Sequence, residues 1–432
     1  MRLELEVFGI DSKARPYSYV DGKRVYLSDG IPGDLVRVEL KRFKSEPFGI
    51  VKEIIRLSSS RIEPRCKHFG ECGGCRFQHV DYGEQLRIKK SIVEDALRLN
   101  GLDVQVEDTI PSPRVWFYRN RMDYVVSPGP KVGLRKLGRW DYTVDLQECY
   151  LMSEEVVKII DIVRKFLLES GVEPYDNVKR EGFFRYVVIR EGKFTGERLI
   201  SLVTRSGSFA VLEKLVEELK HLSTSIVWSI NDSVADVSVG TKVQSVYGKD
   251  HLTENIEGIT FYVHPNAFFQ TNSFQAVNMV KLAKEHASGG HTLVDLYAGV
   301  GLFTYHLMDK YSRVISVEID PNAVLSSKRI KEELKADHVT VLQESAEERL
   351  SKIKVPIDTL VVDPPRAGLS KKVKDAILRA DVGQILYFSC NPSTFASDVA
   401  YLSRKFKLLK VQPLDMFPHT PHVEVFGLLT SL

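Results

Sequence analysis

Strands and helices alternate along the C-terminal half of the chain, and this alternation limits the possible fold more than any other feature. A helical stretch at residues 272–286 precedes a strand at 292–297, a glycine turn and another helix. Four more strands, each followed by a helical stretch, are predicted at 313–319, 339–343, 358–363 and 384–389. Strands that are separated by helices pair in parallel. The sequence therefore predicts an α/β region with a doubly wound sheet, which ends in an antiparallel hairpin at 406–414 and 423–429.

The residues before this region divide into two parts. Residues 1–58 contain five short strands separated by glycine and aspartate turns, a pattern that favours a small OB-like β-barrel. Residues 59–255 mix strands and helices without a regular order and predict an α+β central domain. We therefore expect three domains, at 1–58, 59–255 and 256–432, the last of which holds the doubly wound sheet.

The composition is that of a soluble globular protein. Of the 432 residues, 43% are hydrophobic and 27% are charged, and no apolar run approaches the roughly 18 residues of a membrane span. The N-terminus lacks the apolar run of a secretion signal, so we expect a monomeric, cytoplasmic protein with no membrane anchor. The 60 basic and 57 acidic residues give a net charge of +3, which excludes a wholly basic nucleic-acid coat.

A glycine turn follows the first strand of the α/β region. Gly299 and Gly301 let the backbone bend sharply and let a ligand approach closely. The next strand ends in Glu318, whose carboxylate can accept hydrogen bonds from both ribose hydroxyls of an adenosine. The third glycine of a dinucleotide site is absent, and Asp295 before the turn suits a cationic cofactor. The pattern favours S-adenosylmethionine, and the alternative is a tight turn in an enzyme that uses another nucleotide.

Two later strands end in reactive side chains, and a third begins with one. Asp363 is followed by two prolines, which stiffen the backbone and can hold the carboxylate as a hydrogen-bond acceptor for a planar base. The alternative is a turn that merely ends a strand. Cys390 lies before a helix, where the pKa of a thiol can be lowered, although many such cysteines only pack. Glu424 opens an apolar strand, so burial would raise its pKa and make it a usable base. A salt bridge to an arginine is the alternative for this residue.

A thiolate beside a methyl donor has a specific use in uracil chemistry. Carbon 5 of uracil is a poor nucleophile, but addition of Cys390 to carbon 6 produces an enolate whose carbon 5 can attack a methyl sulfonium. A base must then remove the carbon-5 proton so that the thiolate can leave, and Glu424 is the candidate for that role.

Five segments together resemble the RNA 5-methyluridine (uracil-C5) methyltransferases with a TRAM domain and an iron–sulfur cluster. They are NAFFQTN at 266–272, DLYAGVGLF at 295–303, DPPR at 363–366, SCNP at 389–392 and MFPHTPHVE at 416–424. The resemblance implies an N-terminal TRAM barrel, a central domain and a Rossmann-like methyltransferase domain. It also implies that Cys390 is the nucleophile and Glu424 the base. The implied cofactor contacts, or neighbours of the target base, are Gln270, Tyr297, Gly299, Glu318 and Asp363.

Four other cysteines remain, namely Cys66, Cys72, Cys75 and Cys149. An odd total of five cysteines argues against a disulfide framework in a cytosolic chain. Their spacing alone allows either zinc or an iron–sulfur cluster, and unligated buried thiols are the third possibility. The resemblance implies that the four cysteines hold a [4Fe–4S] cluster.

RNA is the expected partner. Residues 114–121 interleave aromatic rings with arginines, which fits either an RNA-binding surface or a strand with Trp116 and Tyr118 in the core. We expect an S-adenosylmethionine-dependent RNA uracil-C5 methyltransferase acting on the T-loop uridine of tRNA, with ribosomal RNA as the alternative substrate. The rival functions are methylation of a base amino group, which needs no thiol, and a non-catalytic iron–sulfur RNA-binding protein.

Overall fold

A computed structural model describes residues 2–43 and 46–432, and an antiparallel-rich sheet occupies the N-terminal part. Its six strands, where the sequence predicted five, pair in the order β1-β5-β6-β4-β3-β2. Alternate residues face a small core that contains Val7, Val25, Leu27, Val36 and Val38. The strands are β1 (Arg2–Glu6), β2 (Gly9–Ile10), β3 (Pro16–Val20), β4 (Lys23–Leu27), β5 (Leu35–Phe43) and β6 (Glu46–Arg56).

Helix α1 (Tyr82–Leu99) begins after the capping residue Asp81, whose side chain accepts hydrogen bonds from two backbone N–H groups. Its buried face includes Ile88 and Ile92, which lie in one core with Val294 of the C-terminal sheet. Residues 59–255 therefore contribute a helix to the core of the C-terminal region. Within the described ranges, no helix combines the length and apolarity needed to cross a bilayer.

A second sheet, of seven strands, forms the central region. Its order is β13-β12-β11-β10-β7-β8-β9, with β11 and β12 parallel and the other neighbours antiparallel. Two helices cover its apolar face, and a short hairpin leads to the C-terminal region. The elements are β7 (Arg121–Ser127), β8 (Lys131–Lys136), β9 (Arg139–Asp145), α2 (Glu155–Ser170), β10 (Phe184–Glu191), β11 (Arg198–Thr204), α3 (Glu213–Leu219), β12 (Ser225–Ile230), β13 (Lys242–Tyr247), β14 (Leu252–Ile256) and β15 (Ile259–Val263).

The C-terminal sheet confirms the predicted α/β fold. Its order is β18-β17-β16-β19-β20-β22-β21, in which the first five strands are parallel and β22 is antiparallel to both neighbours. The elements are α4 (Ser273–His286), β16 (Gly290–Leu296), α5 (Leu302–Leu307), β17 (Tyr311–Glu318), α6 (Pro321–Glu333), β18 (Val339–Gln343), α7 (Ala346–Lys352), β19 (Ile357–Val362), α8 (Lys371–Arg379), β20 (Val382–Ser389), α9 (Pro392–Leu402), β21 (Phe406–Leu414) and β22 (Glu424–Ser431). The last strand of the chain is thus an inner strand of the sheet.

A buried ion pair fastens α1 to the segment that leads into β22. The side chains of Lys89 and Asp415 form this pair, and both are fully excluded from solvent. Lys89 Nζ also donates to the carbonyl of Phe417 at 2.9 Å, and the hydroxyl of Tyr82 donates to Asp415 at 2.8 Å. Because burial penalises the lysine charge, the pKa of Lys89 is lowered. The pair therefore fixes where the chain lies just before β22.

Replacing Lys89 should destabilise the protein because a buried carboxylate loses its cation. Lys89→Met should lower the free energy of unfolding by about 3–5 kcal/mol, measured by urea denaturation followed by circular dichroism. The matched control is Lys90→Met on the same helix, since Lys90 pairs with the exposed Asp108 and should change stability little. Equal stability of the two variants would contradict the structural role of the buried pair.

Candidate active site

The glycine turn at the carboxyl end of β16 has the predicted sharp bend. Gly301 has a φ of +95°, and a Cβ there would lie 2.4 Å from the ring of Tyr305. Gly299 has a φ of +55°, and its N–H donates to the carboxylate of Glu318 at 2.8 Å. Tyr297 also has a positive φ, of +59°, which is a strained conformation for a bulky residue. The conformation of the turn thus depends on the positive φ angles of its glycines and on the hydrogen bond to Glu318 at the end of the next strand.

Glu318 is fixed by backbone donors. Besides Gly299, the N–H groups of Ile319 and Asp320 donate to its carboxylate, at 2.6 and 2.8 Å. Glu318 and Tyr297 line a small cavity between the ends of β17 and β18. The orientation of the Glu318 carboxylate is therefore set before any ligand binds.

Two acidic or polar residues after β18 line the same cavity. Glu344 lies 3.3 Å from the ammonium of Lys352, and the hydroxyl of Ser345 accepts a hydrogen bond from the backbone N–H of Glu348 at the start of α7. Both residues border the cavity and both already have partners within the protein. The geometry does not separate them as contacts for a bound base.

Two carboxylates, one buried and one half-buried, lie at the ends of neighbouring strands. Asp295 is fully buried and accepts a hydrogen bond from Thr304 at 2.6 Å, and burial raises its pKa to about 7. In the parallel register Leu296 pairs with Val362, so the residues that follow, Tyr297 and Asp363, come to the same edge. Burial also raises the pKa of Asp363, and the charge of Asp295 raises it further.

Gln270 reaches Asp363 from a different part of the chain. Its side-chain Nε2 donates to the Asp363 carboxylate at 2.8 Å, and the side chain of Gln270 is almost fully buried. Asn120, which precedes the central sheet, donates to the carbonyl of Gln270 at 2.7 Å. The central region therefore positions Gln270 against the edge of the C-terminal sheet, and the structure brings Gln270 and Asp363 together.

Strand pairing places Cys390 beside Glu424. In the antiparallel register of β20 and β22, Ser389 is opposite Val425, so the next pair along is Cys390 and Glu424. Glu424 is 2% exposed, and its Oε1 has no hydrogen-bond partner among the atoms that the structure describes. Burial raises the pKa of Glu424 well above its usual value, and the charge of Asp363 adds to this effect. A buried carboxyl with a raised pKa is suited to accept and release a proton.

The pKa of the Cys390 thiol differs from the sequence prediction. Burial, together with the nearby carboxylates of Glu424 and Asp363, raises it to about 11, although the charge of Arg366 lowers it. The start of a helix can lower the pKa of a thiol, but in the free protein burial and two carboxylates outweigh that effect. The thiolate therefore needs additional positive charge nearby in order to form at neutral pH.

Arg366 is a site residue to which the sequence analysis assigned no role. Its carbonyl accepts a hydrogen bond from the side chain of Asn391 at 3.0 Å, which ties the turn after β19 to the turn after β20. Arg366 also lines a large groove together with His422, whose pKa burial lowers to about 4. The available signal was a cation directly after Asp-Pro-Pro at a strand end.

The aromatic segment before β7 packs mainly inside the protein. Tyr118 is fully buried and its hydroxyl donates to the carbonyl of Pro418 at 3.1 Å. Trp116 stacks on His419 with ring centroids 3.7 Å apart. The interpretation of this segment as core is therefore correct for Tyr118, whereas Trp116 is only half-buried. Arg119 lines the groove, in which it faces the ring of Phe417.

Four thiols meet in a second cavity, on the far side of the loop that precedes α1. They belong to Cys66, Cys72, Cys75 and Cys149. Burial, with a smaller contribution from the charge of Cys149, raises the pKa of Cys66 to about 11 and that of Cys75 to about 12. Within residues 2–43 and 46–432, no three His, Cys, Asp or Glu side chains are grouped as ligands of one metal ion. The thiols are thus neighbours without forming a single-ion site.

Comparisons with known proteins agree on one family. Residues 210–431 match the family described as tRNA (Uracil-5-)-methyltransferase. The chain is similar to the tRNA (uracil(54)-C(5))-methyltransferase of Pyrococcus horikoshii, with 39% identity over 401 residues, 92% of this chain and 93% of the relative. It is also similar to the 23S rRNA (uracil(747)-C(5))-methyltransferase of Pyrococcus abyssi, with 35% identity over 91% of this chain and 92% of the relative.

The fold is similar to a solved structure over its whole length. The crystal structure of Pyrococcus abyssi tRNA (uracil-54, C5)-methyltransferase in complex with S-adenosyl-L-homocysteine aligns with a TM-score of 0.80 and 31% sequence identity. The alignment covers 99% of this chain and 100% of that chain.

The pH dependence of the alkylation rate of Cys390 should show how the surrounding charges affect its pKa. Because only the thiolate reacts, the rate with iodoacetamide should keep rising between about pH 7 and pH 10 instead of levelling near the usual thiol pKa. Arg366→Met should move the rise to higher pH, and Arg313→Met, at the opposite edge of the sheet, should not. The rate is followed by mass spectrometry of the Cys390 peptide. A profile that Arg366→Met leaves unchanged would contradict the proposed influence of this cation.

Proposed function

The chain belongs to the tRNA (uracil-5-)-methyltransferase family, and on that premise we propose that it transfers a methyl group from S-adenosylmethionine to carbon 5 of a uridine in RNA. The observation that carries the proposal is the pairing of Cys390 with Glu424 beside Asp363 at the carboxyl edge of the sheet. Ligands of open α/β sheets bind at this edge.

S-adenosylmethionine supplies an electrophilic methyl group on a positively charged sulfur. We assign its adenosine to the cavity of Tyr297 and Glu318, where the fixed carboxylate can accept hydrogen bonds from ribose hydroxyls. Gly299 lets the ligand approach the backbone, because glycine has no Cβ and the space that a Cβ would face is open. Gln270 and Asp363 would lie near the reacting groups, since their hydrogen bond links the central region to the sheet edge.

The chemistry we assign to the pair begins after Cys390 and Glu424 have both lost their protons to solvent, and the Cys390 thiolate then forms a bond between its Sγ and carbon 6 of uracil. The electron pair of the carbon 5–carbon 6 double bond moves onto the ring as an enolate, and carbon 5 then takes the methyl group while the donor leaves as a neutral thioether. Glu424 accepts the proton of carbon 5, the double bond re-forms and the sulfur leaves carbon 6. Methylation of a base amino group, the rival reaction, would need neither the thiol nor a base opposite to it.

The raised pKa values fit this sequence of steps. Cys390 and Glu424 repel each other when both are ionised, so in the free protein a proton remains on the pair. A cationic methyl donor at the same edge, together with Arg366, would favour the thiolate. Glu424 keeps a high proton affinity, which helps it to accept the carbon-5 proton.

For the substrate, we propose the T-loop uridine of tRNA. A relative that is 39% identical to this chain is named for uracil 54 of tRNA, and the similar solved structure is that of a tRNA (uracil-54, C5)-methyltransferase. Ribosomal RNA remains the second candidate, because a relative that is 35% identical is named for a uracil of 23S rRNA.

The N-terminal sheet is our candidate for a TRAM domain. Its six strands enclose a core of their own, separate from the cores of the two larger sheets. We propose domains at 1–58, 59–255 and 256–432, with the exception that α1 packs on the C-terminal sheet.

The four clustered cysteines support a [4Fe–4S] cluster. The donor set consists of thiols alone, and in a cluster each thiolate binds a different iron, so the sulfurs need not converge on one point. Residues 73–76 of the loop that carries three of them donate hydrogen bonds to β8 and to the segment that enters β22. The N–H of Gly73 donates to the carbonyl of Arg135 at 2.9 Å, and the N–H of Arg76 donates to that of His419 at 2.8 Å. We infer that the [4Fe–4S] cluster would stabilise the conformation of this loop.

Methyl transfer to defined RNAs tests the proposed reaction. The protein with radiolabelled S-adenosylmethionine should methylate an unmodified tRNA transcript at the T-loop uridine more efficiently than a 23S rRNA transcript, as mapped by nuclease digestion and mass spectrometry. Cys390→Ser should abolish transfer, and Glu424→Gln should slow it by about 10²–10⁴-fold because the proton acceptor is lost.

Three results would change this assignment. Preferential methylation of the ribosomal transcript would replace tRNA as the substrate. Full activity of Cys390→Ser would favour methylation of an amino group. RNA binding without any affinity for S-adenosylmethionine would favour the non-catalytic alternative.

Metal analysis tests the cluster separately from activity. Protein purified without oxygen should be brown and contain about four iron atoms and four sulfides per chain. Cys75→Ser should lose most of the iron, whereas Cys390→Ser, which alters a thiol outside this cavity, should retain it. Zinc as the only bound metal would contradict the cluster.

A further inference from the structure

The hairpin of β8 and β9 carries aromatic side chains from the core out into solvent. Tyr142 and Trp140 lie on the outer part of β9, where its pairing with β8 shifts register between Arg135 and Lys136. Val144 is 4% exposed and belongs to the central core, Tyr142 is 39% exposed and Trp140 is 64% exposed. The outer part of the hairpin therefore presents two aromatic rings to solvent, where they are available to a ligand.

Cations accompany these exposed rings. The ammonium groups of Lys131 and Lys136 lie 4.5 and 5.3 Å from the centre of the Tyr142 ring. Rings that alternate with cations match the bases and phosphates of a single-stranded nucleic acid, whereas an apolar protein partner would have to cover the charges. The charge pattern of the hairpin thus favours RNA as the occupant.

The hairpin also forms one wall of the groove that leads to the candidate active site. Its residues Arg135 and Leu137 line this groove, whose other wall includes Arg366 and His422. Because Arg366 lowers the pKa of Cys390, this end of the groove lies close to the thiol. A strand in the groove would therefore extend from the hairpin to the reacting uridine.

Several cations in the groove are available for phosphates. Four of them form no ion pair with a carboxylate in the part of the chain that the structure describes, namely Lys13, Arg76, Arg119 and Arg366. They come from the N-terminal sheet, the loop before α1 that carries Cys66, Cys72 and Cys75 (the cysteine loop), the segment before β7 and the turn after β19. A polyanion in the groove would thus contact all three regions of the protein.

We propose that Trp140 and Tyr142 form a stacking platform for unpaired bases that flank the target uridine. The inference rests on the proposed function, since it assigns the RNA of that reaction to this surface. The cysteine loop would hold the platform in place, because the N–H of Leu137 donates to the carbonyl of Glu71 at 2.8 Å at the tip of the hairpin. Bases next to an extruded uridine are unstacked and can use a protein ring as a substitute neighbour.

Intrinsic fluorescence gives a direct readout. Of the three tryptophans, Trp228 is 8% exposed and Trp116 stacks on His419, so Trp140 is the one with the largest exposure. Titration with an unmodified tRNA transcript should quench its emission, and a fully paired RNA duplex of equal length should quench it much less. Trp140→Phe should remove the quenching but keep most of the RNA affinity, because a phenyl ring still stacks.

Affinity and its salt dependence separate stacking from charge. Trp140→Ala should weaken binding of the tRNA transcript by roughly tenfold or more, with the same slope of log K against log salt. Lys13→Met should reduce that slope, since it removes a phosphate contact. Leu168→Ala, which removes a 68% exposed side chain from α2, is the control and should leave affinity unchanged.

The outcomes distinguish this inference from the proposed function. A raised KM for the tRNA transcript with unchanged kcat in Trp140→Ala would support the platform. Wild-type affinity of Trp140→Ala in a protein that methylates RNA would overturn the platform alone and leave the hairpin as a surface for a protein. RNA-dependent quenching of Trp140 without any methyl transfer would support the platform and overturn the proposed reaction.

Discussion

The antiparallel register between β20 and β22 is the constraint on which the site depends. It sets Cys390 opposite Glu424, and a slip of one residue would turn Glu424 to the other face of the sheet. The register is anchored by Gly427, which lies opposite Tyr387, because a Cβ there would lie 2.6 Å from the ring of Phe395. A residue with a side chain at this position would force the two strands or α9 apart.

The segment that enters β22 is held from outside the catalytic sheet. Lys89 of α1 pairs with Asp415, and the cysteine loop donates two backbone hydrogen bonds to the carbonyl of His419, which has a φ of +65°. A positive φ at a buried histidine is strained and persists only where neighbours enforce it. Residues 59–99, remote from Glu424 in sequence, therefore help to fix the position of this carboxyl group.

Sequence patterns predict the fold well because each pattern has a local cause. Alternating strands and helices give the doubly wound sheet, and the bend at Gly299 and Gly301 follows from glycine alone. The facing arrangement of Cys390 and Glu424 could not be predicted, because strand register depends on contacts distant in sequence. The raised pKa of Cys390 was missed for the same reason, since Asp363 and Glu424 approach it only in the folded protein.

Covalent trapping with RNA that contains 5-fluorouridine tests the central claim most directly. Fluorine at carbon 5 cannot leave as a proton does, so elimination stops and the sulfur remains bonded to carbon 6. The account predicts a stable protein–RNA adduct that forms only with S-adenosylmethionine present and maps to the Cys390 peptide by mass spectrometry. Absence of the adduct in an active protein, or attachment at any other residue, would contradict it.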